Sequence, residues 1–354
     1  MEKGNRRFTG PLKIAFAVGC AILVESITLP SFAQVQTRPA TSSVEIVLPP
    51  RIIAGRPATL ATIGANRKLA PHISVELGNG TRVQTDATGR ANFTAPAVGV
   101  LLAEAGAASA ATLVDPDSAA SAQQDIRVGP FASLRGQFST CGGGFRGDSE
   151  GDQVQINDEP ALILAASPEC IVVAPSPKTS PGKAQLTVEA SGKVRHGAIT
   201  IVSLDFEAPQ PPLTPRKKGW LTLHARGSDQ RLHILVDNDS PDVIRFEKGD
   251  AQDLTTSGGS DNIAEIRVEA IRSGDFSFRA RVLPPPDADA ATRFLQAAEP
   301  LAIADVPRTL KHMQDELTRG PQNAEKIRAE LDRMLQVTSP SDFRTLLEAA
   351  RSSL

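Results

Sequence analysis

The chain has 354 residues, 40% of them hydrophobic, with 38 basic and 40 acidic residues and a formal net charge of −2. This length exceeds what one small core accommodates and predicts two to four domains. No basic stripe accompanies the slightly negative charge, so the composition excludes the usual kind of nucleic-acid-binding protein.

The N-terminus has the features of a secretory signal peptide in their usual order. Basic residues precede the apolar run IAFAVGCAILV (14–24), and the small-residue triplet SFA ends at Ala33. This order predicts export with cleavage near Ala33. The run has 11 residues, fewer than the ~20 of a membrane-spanning helix. We therefore expect no membrane insertion after signal removal, and a secreted, periplasmic or cell-surface location.

A lipid anchor is the alternative reading of this segment. AVGC resembles a bacterial lipobox ending at Cys20. The residues after Cys20 are still apolar, where a lipoprotein usually begins a polar tether, and this disfavours the anchor. If Cys20 leaves with the signal peptide, the exported chain keeps two cysteines. An even pair in an oxidising compartment predicts a disulfide between Cys141 and Cys170.

From residue 44 to about 283 the chain alternates short apolar runs with Gly, Pro, Asn and Asp, a pattern typical of all-β proteins. In residues 34–127, VEIVL (44–48) and ISVEL (73–77) read as strands, and Asn79-Gly80 is a hairpin turn. This region resembles a bacterial immunoglobulin-like repeat. We expect it to form the first β domain.

Residues 128–205 carry a more specific pattern. GGGF (142–145) precedes the strand VQIN (154–157), and a Pro-Gly turn introduces the strand-like KAQLTVEASG (183–192). This arrangement resembles the IPT/TIG family of immunoglobulin-like domains, although the two cysteines are not part of that family's usual pattern. The resemblance implies a β-sandwich for this second domain.

The stretch CGGGFRGDSEGDQ (141–153) admits several interpretations. A phosphate loop would lead into a helix, whereas this one leads into a strand. A calcium loop would use Asp148, Glu150 and Asp152, but their spacing is not that of a DxDxDG loop. An RGD adhesion tripeptide at 146–148 arises easily by chance. We favour a tight interstrand turn in which Phe145 anchors the loop in the core and the charges remain solvated.

Residues 206–283 alternate most clearly and predict a third sandwich. If GSDQ (227–230) is a hairpin turn, His224 faces His233 across the strand pair. Two imidazoles can bind a metal, but a structural zinc site needs four ligands and no others are evident. We interpret the two histidines as an incidental surface pair and predict no metal site.

After the PPP at 284–286 the apolar period becomes helical and predicts a C-terminal helical segment over residues 287–354. Short amphipathic helices are marginal alone, so their apolar stripes must be buried against each other, against the third sandwich or against a partner. We expect some of these stripe residues to dock on a partner. The docking candidates are Leu310, Met313, Leu317, Leu331 and Phe343.

The predicted fold class is thus mainly β: tandem immunoglobulin-like β-sandwiches with a C-terminal α-helical segment. The sequence has no HExxH or CxxC motif and no P-loop, so we predict no catalytic residue and no cofactor. Lectin-like binding is disfavoured because the chain has no tyrosine and one tryptophan, Trp220. The expected function is a non-catalytic interaction or spacer protein that binds an envelope or surface protein. The alternative is an accessory subunit of an envelope enzyme.

Overall fold

The computed structural model describes residues 44–95, 97–117, 125–207, 209, 213–247, 249–339 and 341–354. The predicted signal peptide, with Cys20 and Ala33, lies outside the described residues. The described chain is mainly β, and its helices all follow the last strand. The predicted class of tandem immunoglobulin-like β-sandwiches with C-terminal helices is confirmed.

The first sandwich is formed by strands β1 to β8. Their bounds are β1 (Glu45–Val47), β2 (Arg51–Ile53), β3 (Pro57–Ile63), β4 (Ser74–Leu77), β5 (Arg82–Gln84), β6 (Arg90–Thr94), β7 (Gly99–Ala105) and β8 (Ala108–Asp115). One layer has the strand order β2-β8-β7-β4-β5, and β1, β3 and β6 form the other. The predicted turn at Asn79-Gly80 joins β4 to its antiparallel neighbour β5, and Gly80 adopts a φ of 79°.

The second sandwich is formed by strands β9 to β16 and the first half of β17. Their bounds are β9 (Arg127–Val128), β10 (Phe131–Ser133), β11 (Phe138–Cys141), β12 (Gln153–Ile156), β13 (Glu159–Pro160), β14 (Leu162–Ala166), β15 (Cys170–Ala174), β16 (Gly182–Ala190) and β17 (Lys193–Glu207). Its sheet β14-β15-β11-β9 continues the first sandwich's β1-β3, because β14 pairs with β3 at Ala166 and Thr59.

The third sandwich uses the second half of β17 and six later strands among the described residues. Their bounds are β18 (Lys218–Arg226), β19 (His233–Asn238), β20 (Ile244–Phe246), β21 (Ala251–Thr255), β22 (Ile263–Ala270) and β23 (Phe278–Val282). One sheet runs β17-β18-β22-β20 and the other β21-β19-β23. The predicted boundary between residues 205 and 206 falls within β17, whose Ile201 belongs to the second core and Val202 to the third.

The helical segment contains α1 (Ala288–Ala298), α2 (Val306–Arg319), α3 (Ala324–Val337) and α4 (Asp342–Ser352). Asp287 caps α1 by accepting a hydrogen bond from the backbone N of Ala290 at 2.9 Å, and Ser341 caps α4. Gly320 follows the last residue of α2, as expected for a residue that ends a helix. In the described part of the chain, no helix is both long and apolar enough to cross a bilayer.

The helices bury their apolar stripes against one another and against the first sandwich. Four of the five docking candidates are at most 3% exposed, and the fifth packs against the same cluster; in chain order the five are Leu310, Met313, Leu317, Leu331 and Phe343. Leu113 of β8 is fully buried in this cluster. The expectation that these side chains dock on a partner is therefore corrected: burial within the chain already removes them from water.

Candidate functional site

The glycine-rich loop, residues 142–152, begins at the disulfide. Cys141 of β11 lies directly opposite Cys170 of β15, and a disulfide joins them, with their Cα atoms 4.1 Å apart. The backbone N of Gly142 donates to the carbonyl of Glu169 at 3.0 Å, directly before Cys170. The loop is thus attached both covalently and by hydrogen bonds to the turn between β14 and β15.

The middle of the RGD triplet lies against the first sandwich. Gly147 has a φ of 74°, and a Cβ at this position would lie 2.2 Å from the carbonyl oxygen of Pro57. Its own carbonyl accepts a hydrogen bond from Thr59 Oγ1 at 2.8 Å. Gly147 is therefore a residue of the contact between the sandwiches, and only the flanking Arg146 and Asp148 are exposed. This geometry differs from that of a freely presented adhesion tripeptide.

Phe145 anchors the loop as the sequence predicted. Its side chain is 4% exposed and belongs to the core of the second sandwich. The Arg195 guanidinium lies 5.7 Å from the centre of the Phe145 ring and donates to the carbonyl of Gly143. Ser191 Oγ donates to the carbonyl of Gly144 at 3.1 Å. The loop carbonyls are thus bound by side chains of the neighbouring strands.

The carboxylates of Asp148 and Asp152 accept hydrogen bonds from the backbone of the glycine-rich loop itself. Asp148 Oδ1 accepts from the backbone N of Glu150 at 3.0 Å, and Asp152 Oδ2 accepts from the backbone N of Arg146 at the same distance. Asp152 is 4% exposed, and burial raises the pKa of its carboxyl. Among the described residues, no group of three or more His, Cys, Asp or Glu side chains could hold a metal ion.

The predicted pairing of His224 with His233 is wrong. β18 pairs with β17 and β22, which places His224 opposite Ile263; β19 pairs with β21 and β23, which places His233 opposite Thr255. His224 Nε2 instead lies 2.9 Å from Glu207 Oε2. The two histidines therefore belong to different sheets.

The reason is that GSDQ leads from one sheet of the sandwich to the other. Leu223 of β18 and Ile234 of β19 share one core, but they approach it from opposite layers. Asn262 holds this crossing, because its Nδ2 donates to the carbonyls of Ser228 at 3.0 Å and Gln230 at 2.7 Å. An alternating pattern of apolar residues fits two facing sheets as well as it fits one buried face of a hairpin. The pattern therefore did not distinguish these two arrangements.

A cluster of charged residues that the sequence analysis missed lies between the first sandwich and α1. We define the junction cluster as Arg51, Asp115, Asp287, Asp289 and Arg293. Arg51 Nη2 lies 3.0 Å from Asp289 Oδ2 and 3.3 Å from Asp287 Oδ2, and its Nη1 lies 3.4 Å from Asp115 Oδ2. Arg293 donates to Asp115 Oδ1 and to the carbonyl of Val114. Each arginine thus joins β strands to the helical segment.

The junction cluster also contacts the second sandwich. Ser167 Oγ, in the turn after β14, donates to the carbonyl of Arg51 at 2.7 Å. Burial by itself lowers the pKa of Arg51, but Asp289, Asp287 and Asp115 outweigh it and raise the pKa. Arg51 therefore stays charged. Sequence offered no signal for this site, because Arg51 and Asp289 are 238 residues apart.

The described cavities contain no convergent set of catalytic groups. One of about 210 Å³ lies between the first two sandwiches, and its lining, which includes Val47, Phe138 and Val172, contains no titratable side chain. Another, of about 440 Å³, contains Lys183 and His196, both from the second sandwich. His196 Nδ1 lies 3.2 Å from Thr187 Oγ1.

No family model matches this chain, and no curated protein sequence matches it. A structure of the plexin A4 extracellular region is 12% identical, covering 71% of this chain and 24% of that chain, with a TM-score of 0.27. The Bacteroides ovatus protein SGBP-B, solved with a mixed-linkage heptasaccharide, is 11% identical over 65% of this chain and 72% of that chain, with a TM-score of 0.25. Domains 4 and 5 of the S-layer protein SbsC are 13% identical over 31% of this chain and 62% of that chain, with a TM-score of 0.18. The chain spans about a quarter of the plexin chain, and likeness at these TM-scores carries no inference about function.

Proposed function

We propose that this chain is an exported, non-catalytic interaction or spacer protein of the bacterial cell envelope or surface. The observation that carries the proposal is the junction cluster. The partly buried side chains of Arg51, Asp115 and Arg293, with the exposed Asp287 and Asp289, bind one another and hold β2, β8 and α1 together. Together with the apolar core that the helices share with Leu113 of β8, these contacts favour a fixed arrangement of domains, because a large apolar interface limits domain motion. A fixed arrangement suits a protein that presents a surface or sets a distance.

The cavities support a non-catalytic role over the alternative of an accessory enzyme subunit. A site shared between two domains and containing titratable groups would favour the enzyme. The described cavity between two sandwiches has no titratable lining residue, and Lys183 and His196 in the other cavity come from one sandwich.

We further propose that the second sandwich is an IPT/TIG-like domain. The glycine turn before β12, the buried Phe145 and the turn at Pro181-Gly182 before the long β16 support this assignment. The disulfide between Cys141 and Cys170 is an addition to the family's usual pattern.

Three apolar side chains of the helical segment lie outside its core and are exposed. Leu301, Ile303 and Val337 are 47%, 79% and 86% exposed. Leu301 and Ile303 lie in the connection between α1 and α2, and Val337 is the last residue of α3. Exposed apolar side chains of this kind can be covered by another protein. We propose that an envelope or surface protein binds here, rather than at the buried stripe residues.

A cross-linking pull-down tests this proposal. The bait is the predicted mature chain, residues 34–354, mixed with the native envelope fraction. Deleting the helices is a poor test because it would uncover the fully buried Leu113. We use instead the triple variant Leu301→Ser, Ile303→Ser and Val337→Ser, with Val98→Ser and Val194→Ser as a matched control, since both of these valines are 57% exposed outside the helices.

We expect the wild type and the control to capture the same protein and the triple variant to lose it. Equal capture by all three chains would contradict a docking role for the helical segment. Capture of an enzyme whose activity depends on the bait would support the accessory-subunit alternative instead.

A further inference from the structure

The third sandwich exposes the chain's one tryptophan on the outer face of a sheet. Trp220 is 56% exposed, although Leu221, which follows it in β18, is buried. Side chains on this face alternate with buried ones along β18 and β22. We define the Trp220 face as the outward residues Lys218, Trp220, Thr222, Arg245, Glu247, Glu265, Arg267 and Glu269.

Strand register arranges these residues in rows around the indole ring. Trp220 lies opposite Arg267, whose guanidinium carbon is 5.9 Å from the centre of the tryptophan ring system. Arg267 Nη1 lies 3.6 Å from Oε2 of Glu247, which directly follows the next strand, β20. Donors and acceptors thus extend from the ring across the sheet, in steps of ~4.8 Å from strand to strand.

A second row lies on each side of the ring. Lys218 is opposite Glu269 on one side, and Thr222 is opposite Glu265 on the other. Outward residues two apart on a strand are separated by ~6.8 Å. An aromatic platform is therefore surrounded by hydrogen-bonding groups at distances comparable to the width of one sugar ring.

The charge of this face argues against two common ligands of an exposed tryptophan. Its three cations, Lys218, Arg245 and Arg267, face two carboxylates across the strands, Glu269 and Glu247, while the third carboxylate, Glu265, lies opposite Thr222. A nucleic acid requires a net positive surface, which this face lacks. The core of a protein interface is depleted of charged residues, whereas Trp220 is surrounded by them.

The lack of other large aromatic platforms disfavoured sugar binding from the sequence, but the exposure of Trp220 among hydrogen-bonding groups reverses that expectation. We propose that the Trp220 face binds a neutral oligosaccharide of β-linked, gluco-configured sugars. Such sugars carry equatorial hydroxyl groups and present flat faces of axial C–H bonds, which stack on an indole ring. The ring hydroxyls point sideways, towards the carboxylates, Thr222 and Arg267. The stacking removes apolar surface of Trp220 from water, and a rim that carries both cations and carboxylates suits an uncharged ligand.

Affinity electrophoresis tests the proposal, since it measures every variant in the same way. Native gels of the 34–354 chain contain hydroxyethylcellulose, glycol chitin or no polymer, and mobility is compared with that of a non-binding reference protein. We expect retardation by at least one polymer. Trp220→Ala should weaken it by about tenfold or more, and Trp220→Phe should retain part of it.

The matched control is Phe276→Ala, which removes another exposed aromatic side chain, 39% exposed, from outside this face. It should be retarded like the wild type. Circular dichroism confirms that the variants are folded. Mobility unchanged by either polymer, or equal retardation of wild type and Trp220→Ala, would overturn the proposal. Because this site is independent of the helical segment, Trp220→Ala should leave protein capture in the pull-down unchanged, and the two proposals fail separately.

Discussion

The first sandwich contacts the second sandwich through strand pairing and loop backbone as well as an apolar side-chain cluster, whereas its contact with the helical segment is made by side chains. At the first contact, β3 pairs with β14, and Thr59 Oγ1 donates to the carbonyl of Gly147. At the second, Leu113 enters the helical core, and Arg293 donates to Asp115. The backbone contact depends on loop shape, which glycine and cysteine mark in the sequence. The side-chain contact depends on residues far apart in the chain, which no local pattern marks.

The largest effect should come from removing the disulfide beside the backbone contact. Cys141→Ala with Cys170→Ala opens a loop closed across a separation of 29 residues. In the chain-entropy model this lowers the free energy of unfolding by ~3–4 kcal/mol. Urea unfolding followed by Trp220 fluorescence and circular dichroism measures it. Labelling of the denatured, unreduced wild type should find no free thiol at Cys141 or Cys170, and two labelled thiols would refute the bond in solution.

Gly147→Ala should disturb the same contact through backbone shape alone. The new Cβ would meet the Pro57 carbonyl at 2.2 Å, and the φ of 74° is unfavourable for alanine. We expect a loss of ~2–4 kcal/mol from the two effects together. Gly80→Ala is the control, because Gly80 has a φ of 79° and no atom within 4 Å of the added Cβ. It should lose only ~1 kcal/mol, and equal losses would show that the contact with Pro57 is unimportant.

Arg293→Ala tests the side-chain contact. Its side chain is 24% exposed, and its removal leaves Asp115, 12% exposed, with fewer partners. We expect a loss of ~2 kcal/mol, the usual effect for hydrogen bonds to charged groups. The helical circular dichroism signal should unfold at lower urea concentration than Trp220 fluorescence, which reports on the third sandwich. The control Arg308→Ala removes a guanidinium that is 87% exposed and should have little effect.

The smallest effect concerns two carboxylates where α4 meets β7. A side-chain hydrogen bond with Asp342 raises the pKa of Glu104, as do partial burial and the nearby charge of Asp342. Because the folded pKa lies above the ordinary value, this pair stabilises the fold most at acidic pH, and the stabilisation is lost as the pH rises through the folded pKa.

Glu104→Gln should therefore raise the free energy of unfolding at pH 7 by a few tenths of a kcal/mol, since the site is exposed. It should also flatten the pH dependence between about pH 4 and 6. Glu330→Gln is the control, because Glu330 of α3 has its own partner in Arg333, 2.7 Å away, and should not give this gain. Thermal unfolding across the pH range measures both variants, and a steeper dependence in Glu104→Gln would contradict the assignment.

Local patterns in the sequence determined the class of fold and several anchors within it. Residue alternation placed strands in the β region, and the Asn79-Gly80 turn and the buried Phe145 follow from turn chemistry and apolar burial. The disulfide followed from the cysteine count in an exported chain. These features depend on neighbouring residues or on one covalent pair, so sequence carries them directly.

Tertiary structure alone decided which strands are neighbours and which distant charges meet. Alternation states which face of a strand is buried, but it does not name the strand beside it, so β18 and β19 were wrongly paired. The apolar stripe of α2 indicated that these side chains are buried, but it did not indicate which part of the protein buries them. Arg51 and Asp289 meet only because the chain folds back on the first sandwich. The exposure of Trp220 likewise depends on which side of the completed sheet it occupies.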